Sequence, residues 1–278
     1  MSGKPPISAF IITYNNAHEI SRCLESLQFV DEIVVVDSLS TDGTQALAAA
    51  LGARVIEQPF LGYAPQLRFA EGCCTHDWAL NLYADETVSP ELREGILAVF
   101  SSESGVSGYR MPRRNYLHGR WIPHAGYYPS WHLRLFRRSC GGHIDRKIHQ
   151  KIKVRGSVGT LRGAIDHWAW MGEGEILDNF VQYARLEAEE MCEKGQVVRL
   201  HHFGLPFLNF LKRFIVKKGF LDGSFGAVVS ARPAAAQMIR LILAWEMQHR
   251  DWLDAPGLPG EQRASPQRHR DTEEGLKR

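Results

Sequence analysis

The first hundred residues alternate between short apolar runs and segments with helical periodicity. The apolar runs occupy residues 7–13, 33–36, 53–57 and 78–82. Their length and their β-branched residues are typical of strands buried on both faces. Between the first two runs, apolar residues recur at the spacing of one helix face, at Ile20, Cys23, Leu24 and Leu27. This β-α-β-α-β-α-β order predicts an α/β fold with a mostly parallel sheet covered by helices.

Polar residues follow these predicted strands at the points where the strands end. The residues at the ends of the first, second and fourth runs are Thr13, Tyr14, Asn15, Asp37, Asp85 and Glu86. In parallel α/β sheets, ligands bind beyond the carboxyl ends of the strands. We therefore expect a polar ligand at this edge. Asp37 has a second interpretation, because aspartate often caps the turn or helix that follows it.

Composition and motifs argue against several classes of protein. The formal net charge of +2 gives no electrostatic basis for nucleic-acid binding. The sequence lacks the dinucleotide-binding glycine motif, the phosphate loop, the nucleophile elbow and the zincin motif. The five cysteines show no C-x-x-C spacing, which predicts free thiols in a reducing compartment. We expect neither secretion nor a membrane span, because no run approaches the roughly 18 to 20 apolar residues required.

Two longer segments of the N-terminal half carry a family resemblance. They read FIITYNNAHEISRCLESLQFVDEIVVVDSLSTDGT and HDWALNLYADETVSPEL. Together with the WHLRLFRR run at 131–138, the triplet 148–150 and the segment 219–223, they resemble glycosyltransferase family 2. The bacterial subgroup related to lipopolysaccharide-core β-glucosyltransferases is the most similar, over residues 7–250. The resemblance implies a GT-A-like nucleotide-sugar-binding domain at 1–171 and a helical C-terminal extension at 172–253.

The resemblance also implies a nucleotide diphospho-sugar as the donor substrate. Thr13, Asn15 and Asp37 correspond to family positions that contact the donor, and Tyr14, Ser40 and Asp85 are further candidate substrate-binding residues. Asp85, at the D-x-D position, would hold a divalent cation, Mg²⁺ or Mn²⁺, since hard cations prefer oxygen ligands. Glu86 is either a second ligand of this cation or an exposed side chain. Such a cation stabilises the departing nucleotide diphosphate as negative charge builds on it. From its position in the predicted strand, Arg134 either binds phosphate or an anionic acceptor or lies on a solvated strand edge.

The sequence departs from the family pattern at three acidic positions. Tyr83 stands where the first aspartate of a D-x-D metal motif is usual, and a neutral phenol does not replace a carboxylate ligand. Gln150 replaces the glutamate of a V-H-E motif, and an amide has no useful basicity. Ser130 replaces an acid that commonly follows the preceding proline. Asp145 and His149 are the candidate substitutes for a catalytic base.

The C-terminal part has helical periodicity at residues 172–194, 206–219 and 234–248. In the second segment, Lys212, Arg213, Lys217 and Lys218 lie largely off an apolar stripe. A basic amphipathic helix can rest on an anionic membrane surface, and a helix packed on the catalytic domain explains the same stripe. From residue 254 the chain is rich in proline, glycine, glutamine and charge, which predicts a disordered tail over 254–278.

The resemblance implies a glycosyltransferase that transfers a hexose from a nucleotide diphospho-sugar to a cell-envelope glycan such as lipopolysaccharide core, and we expect it in the cytoplasm. The resemblance implies inversion at the anomeric carbon. Because such an acceptor is lipid-linked, peripheral contact with the inner face of the cytoplasmic membrane is part of the expectation. The alternative is a sugar-nucleotide- or glycan-binding protein that lost catalysis through Tyr83 and Gln150. A nucleotidyltransferase ranks third, since residues 13–17 lack the glycine and lysine of a phosphate loop.

Overall fold

The computed structural model describes residues 4–100, 105–144, 151–169 and 173–249. Within them the strands are Ile7–Thr13 (β1), Glu32–Asp37 (β2), Arg54–Glu57 (β3), Trp78–Asn81 (β4), Glu86–Val88 (β5), Val106–Leu117 (β6), Arg120–Trp121 (β7), Ser130–Arg137 (β8), Gly141–Ile144 (β9), Lys151–Val154 (β10), Ser157–Thr160 (β11) and Ile165–Ala169 (β12). The α-helices are Ile20–Ser26 (α1), Thr44–Ala50 (α2), Tyr63–Gly72 (α3), Pro90–Val99 (α4), Glu173–Glu193 (α5), Leu205–Leu211 (α6) and Gly223–Gln248 (α7). Short 3₁₀ turns lie at Arg138–Cys140, Leu200–Gly204 and Gly219–Asp222, and a π turn lies at Lys212–Val216.

Most of these strands form one mixed sheet in the order β3-β2-β1-β4-β8-β6-β12-β5, with β7 and β11 paired to β6. Strands β1 to β4 are parallel to one another, as the sequence predicts. Strand β8 is antiparallel to both β4 and β6, and β12 is parallel to β6. The carboxyl ends of β1, β2, β4, β6 and β12 therefore share one edge of the sheet. Strands β5 and β8 begin at that edge.

Strand β1 lies at the centre of the core, and all of its residues are buried. Because side chains alternate along a strand, its two faces serve two different helix layers. Ile7 and Ile11 pack in the cluster that contains residues of α1 and α4. Phe10 and Ile12 pack on the other face with residues of α3. This two-sided burial confirms the predicted α/β architecture and explains the uninterrupted apolar run in the sequence.

The C-terminal helices form a bundle in which α7 packs against both α5 and α6. A salt bridge between Arg240 of α7 and Glu187 of α5, with nitrogen and oxygen 2.8 Å apart, joins the two longest helices. Helix α6 and the π turn after it occupy the segment predicted as a single helix over 206–219. Helix α7 begins at Gly223, so the predicted start at residue 234 was wrong.

The cause of this error is Pro233, which lies inside α7. Proline has no N–H, so the carbonyl of Val229, four residues earlier, loses its helical partner. The Tyr127 hydroxyl donates a hydrogen bond to that carbonyl at 3.2 Å. Tyr127 belongs to the loop between β7 and β8, so a distant loop supplies the hydrogen bond that proline cannot make. The helix continues through proline for this reason.

The stretch Gly219–Gln248 is also long and apolar enough to cross a bilayer, by length and composition. The sequence analysis missed it because Arg232 and Arg240 interrupt the apolar run. About a quarter (28%) of the most apolar part of this stretch is buried in the protein. Length and composition alone do not separate a spanning helix from a helix of a globular bundle, and α7 packs in such a bundle.

We predict that Tyr127→Phe lowers the free energy of unfolding by about 1–3 kcal/mol, because the buried Val229 carbonyl loses its donor. In a Pro233→Ala background the same change should cost much less, since alanine at 233 restores the helical N–H. Urea denaturation of the wild type, both single variants and the double variant measures this coupling. If Tyr127→Phe lowered the free energy of unfolding equally in both backgrounds, the hydrogen bond from Tyr127 would not be replacing the one that Pro233 cannot make.

Candidate active site

Polar residues from both halves of the sheet meet at the carboxyl edge. In the β1–β2 register, Thr13 lies opposite Asp37. Strand β4 ends at Asn81, so the loop that carries residues 83–85 leaves from the same edge. Asn115 near the end of β6 and His167 near the end of β12 are direct partners in the β6–β12 register. Topology therefore brings together residues that lie far apart in the sequence.

Asp37 is fully buried, and its carboxylate holds the turn that follows β2. One oxygen accepts hydrogen bonds from the Ser40 N–H and the Gln45 side-chain amide, both at 2.7 Å. The other oxygen accepts from the Ser40 hydroxyl at 2.5 Å. A carboxylate accepts about four hydrogen bonds, so most of its capacity is used. These contacts favour the interpretation of Asp37 as the cap of the following turn. Its contact with a nucleotide-sugar donor remains a prediction.

The loop after β1 is bonded to the same turn through Asn15. The Asn15 N–H donates to the Ser40 hydroxyl oxygen at 2.8 Å. The Asn15 side-chain carbonyl accepts from the Thr41 N–H at 2.9 Å. Asn15 has a φ of 50°, a left-handed conformation that asparagine tolerates better than most residues. The contacts of Asn15 and Ser40 thus make this corner of the edge rigid.

Thr13 and Tyr14 differ in what they offer to a ligand. Thr13 is buried, and its hydroxyl donates to the Asn16 side-chain oxygen at 2.9 Å. The Tyr14 N–H donates to the same oxygen at 3.2 Å, while the Tyr14 side chain is exposed. Among these two residues, Tyr14 has the ring that an incoming nucleoside could contact.

Glu86 forms a buried ionic cluster. It has no exposed surface, and its Oε1 atom lies 3.0 Å from an Arg134 nitrogen and 3.3 Å from an Arg113 nitrogen. Its Oε2 atom accepts from the Tyr83 N–H at 3.1 Å. Both oxygens are therefore occupied by groups of the protein. This placement favours a structural role for Glu86 over the predicted role as a metal ligand.

Arg134 is likewise buried and satisfied within the protein. It donates to the Asn81 side-chain oxygen at 2.6 Å in addition to Glu86. Its guanidinium carbon lies 4.7 Å from the centre of the Tyr83 ring, within the range of a cation–π contact. This arrangement does not favour the predicted grip of Arg134 on phosphate. Burial raises the pKa of Tyr83, so its phenol stays protonated and does not act as an anionic ligand.

Asp85, next to Glu86, has a different environment. Its Oδ2 atom lies 3.0 Å from Nε2 of His167, and about a third of the side chain is exposed. The other ring nitrogen of His167 lies 3.0 Å from the Asn115 side-chain oxygen. Burial raises the pKa of Asp85, but the His167 hydrogen bond and the nearby charges outweigh it and lower the pKa below its usual range. Asp85 is therefore ionised at neutral pH and accessible from the edge.

Strand β8 adds a neutral histidine to the same region. His132 Nε2 lies 2.9 Å from the Ser130 hydroxyl oxygen. Burial and the positive charges of Arg134 and Arg113 lower the pKa of His132 to about 3. Its imidazole is consequently uncharged at neutral pH. Ser130, which stands where the family commonly has an acid, is thus a hydrogen-bond partner of a neutral ring.

The sequence analysis did not identify Arg113, Asn115, His132 or His167. A signal existed, because Arg113 and Asn115 alternate in β6, as Ser130, His132 and Arg134 do in β8. Alternation in a strand places such residues on one face. The register that pairs β6 with β12 could not be read from the sequence, and without it His167 has no visible partner.

The predicted general-base candidates Asp145 and His149, together with Gln150, lie outside the described residues. Strand β9 ends at Ile144 and β10 begins at Lys151, so these positions fall between the two strands. Their roles stay predictions from the sequence.

Comparison with known proteins assigns the family. The family model for glycosyl transferase family 2 matches residues 8–165. The chain belongs to glycosyltransferase family 2. It is 33% identical over 250 residues to the lipopolysaccharide core biosynthesis glycosyltransferase LpsC of Rhizobium meliloti, covering 84% of this chain and 93% of that protein. An uncharacterized glycosyltransferase of Rickettsia felis is 32% identical over 251 residues, covering 84% of this chain and 88% of the relative.

Solved structures resemble this family 2 chain at lower identity. Mannosyl-3-phosphoglycerate synthase from Rubrobacter xylanophilus is 15% identical, with a TM-score of 0.46 over 70% of this chain and 77% of that chain. S. aureus TarS 1–349 is 17% identical, with a TM-score of 0.45 over 89% and 92%. Glucosyl-3-phosphoglycerate synthase from Mycobacterium tuberculosis, in complex with Mn²⁺, UDP and glucosyl-3-phosphoglycerate, is 23% identical, with a TM-score of 0.35 over 40% of this chain and 44% of that chain.

The described residues offer few ligands for a divalent cation at this site. Among the described residues, no group of three or more histidine, cysteine, aspartate or glutamate side chains is arranged to hold a metal. Asp85 supplies one carboxylate oxygen, while both ring nitrogens of His167 are engaged with the oxygens of Asp85 and Asn115. Mg²⁺ is commonly held by one or two carboxylates with waters and substrate phosphates, and imidazole nitrogen suits transition metals. Asp85, oriented by His167, therefore fits a cation that takes its further ligands from the donor diphosphate and water.

We predict that Glu86→Gln lowers the free energy of unfolding by about 3–5 kcal/mol, because it leaves buried guanidinium charge uncompensated. The control Glu190→Gln, which breaks an exposed ion pair with Lys194, should cost less than about 1 kcal/mol. Chemical denaturation measures both changes. A stable Glu86→Gln protein with impaired cation binding would instead assign Glu86 to the metal.

Proposed function

We propose that the protein transfers a hexose from a nucleotide diphospho-sugar to a cell-envelope glycan such as lipopolysaccharide core, at the cytoplasmic face of the membrane. The observation that carries the proposal is the Asp85–His167 pair at the carboxyl edge of the sheet. The accessible carboxylate is ionised, and the edge is the place where parallel α/β sheets bind ligands. The relative named for lipopolysaccharide core biosynthesis supports the acceptor class.

In this proposal the chain positions the donor and neutralises its leaving group. Asp85, oriented by its hydrogen bond with His167, would hold a divalent cation, which would supply positive charge to the departing diphosphate. The corner built by Asn15 and Ser40, with the exposed Tyr14 ring, forms the side of the edge where the nucleoside would lie. Inversion requires the acceptor hydroxyl to attack the anomeric carbon in line while a base removes its proton. Asp145 and His149 remain the proposed bases.

The alternative function is binding without transfer, and one observation favours it. The Tyr83 phenol, at a position where the family usually has a metal-binding acid, is stacked under the Arg134 guanidinium. Gln150 lacks the basicity of the usual glutamate. A protein with these two changes would keep its donor-binding corner and lose turnover.

We predict that donor binding depends on Mn²⁺ and that Asp85→Asn reduces donor turnover about 100-fold or more, because a charge that stabilises the leaving group is lost. Calorimetric titration and donor turnover are measured with a panel of nucleotide sugars, with and without Mn²⁺. The control is Glu57→Gln, which removes an exposed carboxylate from the end of β3 on the same edge.

Each outcome separates the two functions. Metal-dependent binding with turnover that Asp85→Asn removes and Glu57→Gln retains supports the transferase. Metal-independent binding without turnover supports the binding protein, and Tyr83→Asp combined with Gln150→Glu should then restore turnover. Absence of binding to every nucleotide sugar would refute both functions.

A further inference from the structure

Residues 199–221, which we call the basic apolar segment, place large apolar side chains in solvent. Leu200 is 89% exposed, Val216 is 69% exposed and Phe207 is 63% exposed. Other exposed apolar residues of the segment are Leu205, Leu208, Ile215, Phe220 and Leu221. The short helices and turns that carry them pack on one another in sequence order. Apolar exposure on this scale is typical of an interaction surface.

The segment is also strongly basic. Residues 199–221 contain five lysines and arginines and no acidic residue. Lys212, Lys217 and Lys218 are exposed. The next acid, Asp222, is largely buried and lies 3.0 Å from a ring nitrogen of His124. The surface therefore presents positive charge next to exposed apolar groups.

This combination matches one kind of partner, an anionic lipid surface. Interfacial helices bury apolar side chains at the boundary of headgroups and acyl chains while lysines attract anionic headgroups. A second copy of this chain fits less well, because two basic surfaces would face each other. A spanning α7 fits less well too, since the Arg240–Glu187 salt bridge and the packing on α5 hold α7 in the bundle.

One loop connects the basic apolar segment to the candidate active site. From the segment, Arg213 donates to the Ala125 carbonyl at 2.9 Å. From the site, the Asn115 side chain donates to the Tyr127 carbonyl at 3.2 Å while its oxygen contacts His167. Because Ala125 and Tyr127 lie two residues apart, the orientation of the segment is tied to the orientation of the site.

We propose that residues 199–221 dock the protein on an anionic bilayer surface and thereby hold the Asp85–His167 edge close to a lipid-linked acceptor. The docking itself follows from the surface alone, and its purpose rests on the proposed function. The protein binds as a peripheral protein, with α7 outside the hydrocarbon core.

Co-sedimentation of the full-length protein with vesicles tests this docking. We expect binding to vesicles that contain phosphatidylglycerol, weak binding to phosphatidylcholine alone, and weaker binding as salt increases. Lys217→Gln combined with Lys218→Gln should lower partitioning at least about tenfold, because each lysine near an anionic surface contributes roughly fivefold. Phe207→Ser combined with Leu208→Ser should lower partitioning as well.

Two control variants match these changes elsewhere on the surface. Lys151→Gln combined with Arg162→Gln removes two exposed charges, and Leu47→Ser removes an exposed apolar side chain. Both should bind vesicles as the wild type does. Donor turnover and the unfolding temperature of all four variants should equal those of the wild type, which separates a failure of docking from a failure of the proposed function.

Three results would overturn the proposal. The first is equal binding to neutral and anionic vesicles, and the second is equal loss in the control variants. The third is native protein that resists extraction from bacterial membranes by alkaline carbonate, which would make α7 a spanning helix. A dimer in solution that Phe207→Ser with Leu208→Ser dissociates, without vesicle binding, would assign the surface to a second copy.

Discussion

The buried carboxylate of Glu86 is the interaction on which the geometry of the candidate site depends. It joins β5 to Arg134 of β8 and Arg113 of β6, and it accepts the N–H of Tyr83 after β4. Breaking such a pair leaves uncompensated charge in the interior, which costs several kcal/mol. Because Glu86 is held in this way, the backbone of its neighbour Asp85 is fixed at the edge, where its carboxylate reaches His167. The buried carboxylate of Glu86 thus positions the accessible carboxylate of Asp85.

The sequence predicted the N-terminal half well for a physical reason. A strand buried on both faces must be apolar along its length, so the runs that became β1, β2 and β4 were visible without partners. The different roles of Asp85 and Glu86 could not be predicted in this way. Two adjacent acids look equivalent in a sequence, and what distinguishes them is a pair of arginines from strands that lie 27 and 48 residues further along the chain.

In the C-terminal half, a contact that is distant in sequence likewise decides a feature that local sequence predicts wrongly. Pro233 predicts a helix boundary by local rules, and α7 continues because Tyr127, from a loop more than a hundred residues away in sequence, bonds the freed carbonyl of Val229. That loop also contacts Asn115, the partner of His167. The helical bundle and the carboxyl edge of the sheet therefore both contact one connecting loop.

The central claim is that Asp85 and His167, with Glu86 held apart from them, form the place where the leaving group of the donor is neutralised. A crystal structure of the protein soaked with Mn²⁺ and a nucleotide diphosphate tests it most directly, through the anomalous signal of the metal. We expect one manganese peak in contact with Asp85 and the diphosphate, with the Asp85–His167 hydrogen bond and the Glu86–Arg134 pair intact. A manganese ion bound to Glu86, or a diphosphate bound away from the carboxyl edge, would contradict it.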